Sequence, residues 1–386
     1  MGEKTGLHPE LAEALRRHQE FFQGKRNYLL KVSLNGFDIS SWPMNNDSSR
    51  KVSEKLQGDY EVMKKQFVKE IPYDGMNWDR DFTDYYKNSI TNRKIASSYR
   101  LDMKIGDDNL PAYFPYFGNA IHHIFFGGEM RFKGGTSYCT NIIEEAAEYE
   151  KVKFEIHNIW MERLGEGLDW CREQGDGVLL AALRGADGPL DMANGIMGNN
   201  LFTELMDDEE NMQNLMKICK EACDAMCMLQ KEHASMIQGG FVSGMGCLWM
   251  PEPMFGQISV DAAMMAGPKI YEKFEKPYLE ELSEKYKGFL LHTHMLGWRM
   301  HDILAETKGV AIIRPSLDPN QPSFRETISS LLNQVRDKVL MLEVKKEEIE
   351  ELVPFFVGKK AIFELQAEDK EDAWNQMERI HEILGE

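Results

Sequence analysis

From residue 177 onward, short apolar runs alternate with longer stretches of helical spacing. The apolar runs are 177–183, 239–243, 289–292, 310–313, 339–343 and 361–365. The helical stretches are 206–233, 268–287, 301–307, 322–335, 346–355 and 370–384, and another at 155–174 precedes the first run. Runs of this length with no period-2 polarity read as strands buried on both faces. Their alternation with helices predicts parallel βα units with right-handed crossovers. A strand at 28–33 and one within 110–135 bring the number to eight, and eight such units close into a barrel. The expected architecture is an α/β chain, a (β/α)8 TIM barrel spanning residues 1–386 as a single domain. Residues 8–24 form an amphipathic helix, with Leu11, Leu15, Phe21 and Phe22 opposite Arg16, Arg17 and Glu20. Residues 36–105 are charged and aromatic (Trp42, Trp78, Tyr85, Tyr86), with helical spacing over 53–69. They read as a helical N-terminal insertion, because no low-complexity linker sets them apart. Residues 110–141 carry loop chemistry in Pro111, Pro115, Gly118 and paired glycines. No fixed-period repeat appears, which argues against a solenoid.

Composition narrows the class further. A chain of 386 residues with 42% hydrophobic and 28% charged positions buries a sizeable core. The net charge of −18 repels phosphate backbones, so nucleic acid is not an expected partner. The start, Met1-Gly2-Glu3-Lys4, leads into a polar helix rather than an export signal. No apolar run reaches the ~20 residues of a membrane span. Six cysteines without paired spacing point to a reducing cytoplasm. Cys219, Cys223 and Cys227 repeat every four residues on one helix face and read as core, as do most of the 24 methionines. There is no P-loop, no G-x-G-x-x-G after a strand and no G-x-S-x-G elbow.

The strand ends carry the candidate chemistry. In a barrel it gathers at the C-terminal ends. These ends are Arg184 to Pro189, Gly244 to Trp249, His292-Thr293-His294, Arg314 to Asp318, Glu343 and Gln366. Solvated loops account for single polar residues there. They account less well for two histidines and a glutamate on converging strands. His292 and His294 share a strand face by alternation. With Asp261 and Glu343 they form a nitrogen and oxygen donor set suited to Zn²⁺ or another first-row ion. Trp249, Phe114, Tyr116, Met245 and Gln366 are candidate substrate-lining residues, and Arg184 and Arg314 candidate catalytic cations beside His292. Adjacent His122 and His123 would face opposite ways in a strand, so at most one of them serves a pocket.

Several segments carry a resemblance to a known family. They are Gly188-Pro189-Leu190-Asp191, Met206-Asp207-Asp208-Glu209-Glu210, Phe274-Glu275-Lys276-Pro277-Tyr278 and Leu290-Leu291-His292. In these, and in the rhythm that follows, the chain resembles the uroporphyrinogen decarboxylase superfamily. That superfamily holds porphyrinogen decarboxylases and corrinoid-linked methyltransferases on an eight-stranded barrel. The Arg-Gln-Ala-Gly-Arg type of segment by which the decarboxylases hold carboxylates has no counterpart here. The methyltransferases' zinc-binding His-x-Cys is replaced by His292-x-His294, and no cysteine follows Cys247. A harder donor set of this kind polarises oxygen rather than activating a thiol. The resemblance therefore implies a metal-assisted methyltransferase, in kind nearest the corrinoid-linked members. It would move a methyl group from a small O- or N-methylated donor to cobalamin on a separate corrinoid protein. Such an enzyme is expected in the cytoplasm, and a homodimer is compatible with it. The competing readings are a polycarboxylate decarboxylase using Arg184 and Arg314, and a non-enzymatic ligand-binding barrel.

Overall fold

The computed structural model describes residues 6–34, 37, 52–133 and 136–385. Of the expected insertion, residues 36 and 38–51, including Trp42, lie outside these. The class is mixed α/β. Seven strands form one parallel sheet in the order Tyr28–Leu34, Ala361–Ala367, Val339–Glu343, Val310–Ser316, Phe289–His294, Gln257–Ser259 and Ala186–Asp187. A second parallel pair joins Ala112–Tyr113 to Leu180–Ala181. The run 180–187 thus pairs with 112–113 through its first half and with 257–259 through its second.

Between Tyr28–Leu34 and Ala112–Tyr113 no strand ladder forms among the described residues. Side chains of the segment 107–109 satisfy that edge instead. Asp108 accepts from the Leu30 amide at 2.6 Å and returns its own amide to the Leu30 carbonyl at 2.7 Å. Asp107 accepts from the Val32 amide at 3.0 Å, and Asn109 donates to the Val32 carbonyl at 2.6 Å. Buried backbone groups need such partners whether or not a neighbouring strand supplies them. Arg17 and Arg100 neutralise the two carboxylates at 2.5 and 2.9 Å.

One strand expectation is corrected. Gly240–Ser243 is a strand and bridges Leu183 in parallel at Ser243, but its ladder is antiparallel, with Leu248–Pro251 in a hairpin. The sheet position is taken by Gln257–Ser259. That strand escapes a search for apolar runs because only Ile258 is apolar. Gln257 and Ser259 line a cavity and bond to each other at 2.7 Å.

The inner face of the sheet has two tiers. Leu29, Leu290, Ile312, Met341 and Ile362 pack on Phe21, Leu248 and Met250 as an apolar floor. Each such side chain contributes about 1.5–3 kcal/mol by burial. Two residues further along four of the strands, on the same face, stand Lys31, His292, Arg314 and Glu364. The described helices after the first strand, Gln57–Lys64 and Trp78–Asp102, bring Trp78 and Phe82 into an aromatic cluster with Phe117, Phe132 and Trp160. The expected cysteine stripe is core, with Cys219, Cys223 and Cys227 all buried. Among the described residues no helix is long and apolar enough to cross a membrane.

The helix Pro189–Met197 begins at Gly188, which has no side chain to cap it. Glu275, from a distant π-helical turn, supplies the cap. Its Oε2 accepts from the Leu190 amide at 2.7 Å. A Cβ on Gly188 would stand 2.1 Å from the other carboxylate oxygen, so glycine is required there. Burial outweighs the hydrogen bond and pushes the Glu275 carboxyl up to about 8. In the unfolded chain the group ionises near pH ~4.3. Stability therefore falls as pH rises from about 4.3 to about 8, where only the unfolded state has lost the proton, and levels off above that. The slope from this group is at most about 1.4 kcal/mol per pH unit. Glu275→Gln retains an acceptor and cannot ionise. Urea denaturation between pH 5 and 8 should show the variant losing this part of the wild-type slope.

Candidate metal and substrate site

The C-terminal strand ends surround a cavity of about 740 Å³. Its lining includes His292, His294, Asp261, Arg184, Arg314, Phe114, Tyr116 and Met245, as expected from the sequence. Three expected residues are elsewhere. Trp249 is buried in the hairpin, donates to the Ile237 carbonyl at 2.9 Å and packs against Phe22. The hairpin folds back after Cys247, so the turn Gly244 to Cys247 reaches the cavity and Trp249 faces the first helix. Glu343 is exposed at the end of its strand, outside the cavity lining. Gln366 is likewise exposed at a strand end and is not a lining residue. Both lie where their strands emerge from the sheet into solvent.

Asp261, His292 and His294 bring one ligand atom each to within 4.8 Å of one another. Asp261 Oδ1 lies 3.4 Å from His294 Nε2 and 4.0 Å from His292 Nε2. A tetrahedral ion with bonds of about 2.0–2.1 Å spaces its ligands about 3.3–3.4 Å apart. Asp261 Oδ1 is buried, and among the described residues it accepts no hydrogen bond. A carboxylate oxygen that pairs with the His294 ring at 3.4 Å and faces a second imidazole at 4.0 Å gives a donor set that fits a cation. His294 uses its other nitrogen, Nδ1, against Asp318 at 2.7 Å. This carboxylate–imidazole arrangement fixes ring orientation and basicity in metal sites. Burial pulls His292 down to about 4, so it is neutral and its lone pair is available. Asp261 and then Asp318 raise His294 to about 9 against the cost of burial. A divalent ion would displace that proton. Two histidines and an aspartate leave at least one position open, as catalytic rather than structural sites do.

Asp191 fixes Asp261. Its two carboxylate oxygens accept from the amides of Asp261 and Ala262 at 3.0 and 2.6 Å, capping the helix Asp261–Ala266 from outside. Burial, then Asp261 and Glu275 nearby, push the Asp191 carboxyl well up. Asp261 is the first residue of that helix.

Both arginines are already engaged. Arg314 holds Glu364 through Nε at 2.8 Å and Nη2 at 3.3 Å. Arg184 stands 3.6 Å from Asp187 and donates to the Gly118 carbonyl at 3.2 Å. Lys31 is buried and donates to the carbonyls of Cys247 and Asp108 at 2.6 and 3.2 Å. Burial lowers its ammonium pKa. Lys31 and Glu364 are lone polar residues within strands and carried no signal, whereas Asp187 and Asp191 lie in segments singled out above without a role of their own. His122 was weighed as one of a pair, and it does reach the cavity, on a 3-10 turn.

No protein-family model matches the chain, and no curated protein matches it either.

The cluster makes definite predictions for metal content. Asp261→Asn and His292→Ala should each abolish stoichiometric zinc in elemental analysis while leaving the melting temperature of the metal-free protein nearly unchanged, because neither side chain belongs to the apolar floor. Asp318→Ala should bind zinc about 10–100-fold more weakly in competition titration, as loss of an orienting carboxylate does. His294→Cys should keep the ion.

Proposed function

We propose that this chain is a metal-assisted methyltransferase of the uroporphyrinogen decarboxylase superfamily kind. In this reading it moves a methyl group from a small O- or N-methylated donor to a corrinoid carried by a separate protein. The observation that carries the reading is the Asp261–His292–His294 cluster, opening on a cavity at the C-terminal strand ends. We take the architecture with it as an eight-stranded barrel with a helical insertion at 36–105. The run 180–187, which joins the two parallel strand sets, and the side-chain seam at 107–109 support closure.

A bound ion would act as a Lewis acid on the methyl-bearing heteroatom. The chain's own residues would do the rest. Phe114, Tyr116 and Met245 offer apolar walls to an organic donor. Asp191 holds Asp261 in place, and Asp318 holds His294. Three exposed apolar residues flank the cluster: Met265 one turn after Asp261, Leu296 two residues after His294, and Leu317 beside Asp318. An apolar collar around an open metal position suits an acceptor delivered on another protein.

The polycarboxylate decarboxylase reading draws less support. It calls on both Arg184 and Arg314 for substrate carboxylates, and Arg314 already holds Glu364 through two hydrogen bonds, which leaves Arg184 alone for that task.

The test is transfer to cob(I)alamin from a panel of methoxylated benzenes and methylamines, read as loss of the absorbance of the reduced corrinoid. We expect activity in metal-loaded protein and at least a hundredfold loss in Asp261→Asn. Full activity after complete metal removal, or CO₂ release from polycarboxylates with no methyl transfer, overturns the reading. Leu296→Asp should raise KM for the corrinoid protein about tenfold and leave zinc content and transfer to free cob(I)alamin unchanged.

A further inference from the structure

The sheet register places a second polar group on the cavity wall two strands from His292. Asp187 pairs with Ser259, Ser259 with His292, and His292 with Arg314, so these residues form one row on neighbouring parallel strands. Two strand spacings separate Asp187 from His292, about 10 Å between Cα atoms. Asp187 is mostly buried and holds two cationic or potentially cationic groups from other segments. His122 Nδ1 lies 2.5 Å from Asp187 Oδ2, and Arg184 Nη1 lies 3.6 Å from the same oxygen. Burial alone would raise the Asp187 carboxyl, but His122 and Arg184 outweigh it and hold it at about 2. The carboxylate therefore stays charged and orients both partners.

Nδ1 of His122 is committed to Asp187, and among the described residues Nε2 meets no partner. That nitrogen lies beside Gly195, where a Cβ would come within 2.8 Å of it. The glycine leaves room for the ring at the cavity wall. Arg184 uses Nη2 on Gly118 and Nη1 toward Asp187, which leaves part of its five-donor fork unspent. Asn119, Asn194 and Tyr116 complete the wall with neutral polar groups.

We infer that His122 and Arg184, braced by Asp187, form an anion clamp that takes a carboxylate of the substrate. His122 and Arg184 share Asp187 and turn their remaining donors toward an entering carboxylate. A lone carboxylate would otherwise be costly to bury. Charge-assisted hydrogen bonds from a guanidinium are the strong kind for this task. Asp187 and His292 stand about 10 Å apart by strand spacing, and Phe114 and Met245 line the same cavity with apolar groups. The substrate class is a small carboxylic acid, aromatic or cyclic, whose reacting group lies at the end opposite its carboxylate. That orientation rests on the function proposed above; the clamp itself does not.

The experiment is calorimetric titration of the metal-loaded protein with benzoate and with benzamide, which has the same shape without the charge. We expect benzoate to bind at least tenfold more tightly than benzamide. The preference should vanish in His122→Gln and in Arg184→Gln and persist in Asp261→Asn. Cooperative thermal melts verify that each variant is folded. Where a variant is not, Arg184→Lys, which keeps the charge but loses the fork, and His122→Asn stand in, with a reduced preference expected. Equal affinity for the two probes, or a preference that survives in folded variants at both positions, overturns the clamp. Carboxylate preference without methyl transfer would leave the clamp standing and reject the proposed function. Methyl transfer without carboxylate preference would do the reverse.

Discussion

The candidate site depends on one buried carboxylate, that of Asp191, accepting two backbone amides at the start of the helix Asp261–Ala266. A helix of this length has little stability of its own. Without an external cap its first amides would be buried and unpaired, and Asp261 would have no fixed position. Asp191 in turn sits on the helix Pro189–Met197, whose own start is capped by Glu275. Two distant carboxylates thus order two helix starts in series, and the second start carries the oxygen that faces both histidines. Burial drives both carboxyl groups toward the neutral form. The arrangement sacrifices some stability at neutral pH for a rigid ligand position, a balance met elsewhere at functional sites.

The second constraint is the period of the strands. Because side chains alternate, a strand with an apolar inward residue presents its next inward residue one step closer to the rim. Leu29 and Lys31, Leu290 and His292, Ile312 and Arg314, Ile362 and Glu364 follow this rule on four strands. A dry floor below a charged tier results. Charges in such a place must be paired or coordinated. Arg314 finds Glu364, Lys31 finds two carbonyls, and Asp187 finds His122 and Arg184. Asp261 faces the two histidines and accepts no hydrogen bond at Oδ1 among the described residues. Asp261 and the two histidines are also the residues whose spacing suits a bound ion.

Much of this was legible in the chain. The apolar runs marked most strands of the parallel sheet, since strands covered on both faces are apolar over their length. The pair His292 and His294 followed from alternation, and Arg184, Arg314, Phe114, Tyr116 and Met245 from their place near strand ends. Gln257–Ser259 was not legible, because a strand whose inward residues line a cavity carries no apolar run. Trp249 misled because a hairpin and a barrel strand begin alike, with Gly240 to Ser243, and differ only in where the chain turns.

The sequence by itself determined the α/β alternation and the two histidines on one face, because local periodicity fixes both. Only the tertiary structure decided which oxygen joins them. In sequence terms Glu343 closes an apolar strand, whereas Asp261 lies between the expected strand at 239–243 and the helix at 268–287, and neither position marks a ligand. Asp261 is brought to 3.4 Å from His294 by a capping bond from Asp191, 70 residues earlier in the chain, whereas Glu343 is left exposed. The same holds for His122, Arg184 and Asp187, whose meeting depends on strand register and on a turn from another segment. Periodicity is a property of neighbours along the chain; convergence across a cavity is set by packing between segments that share no local pattern.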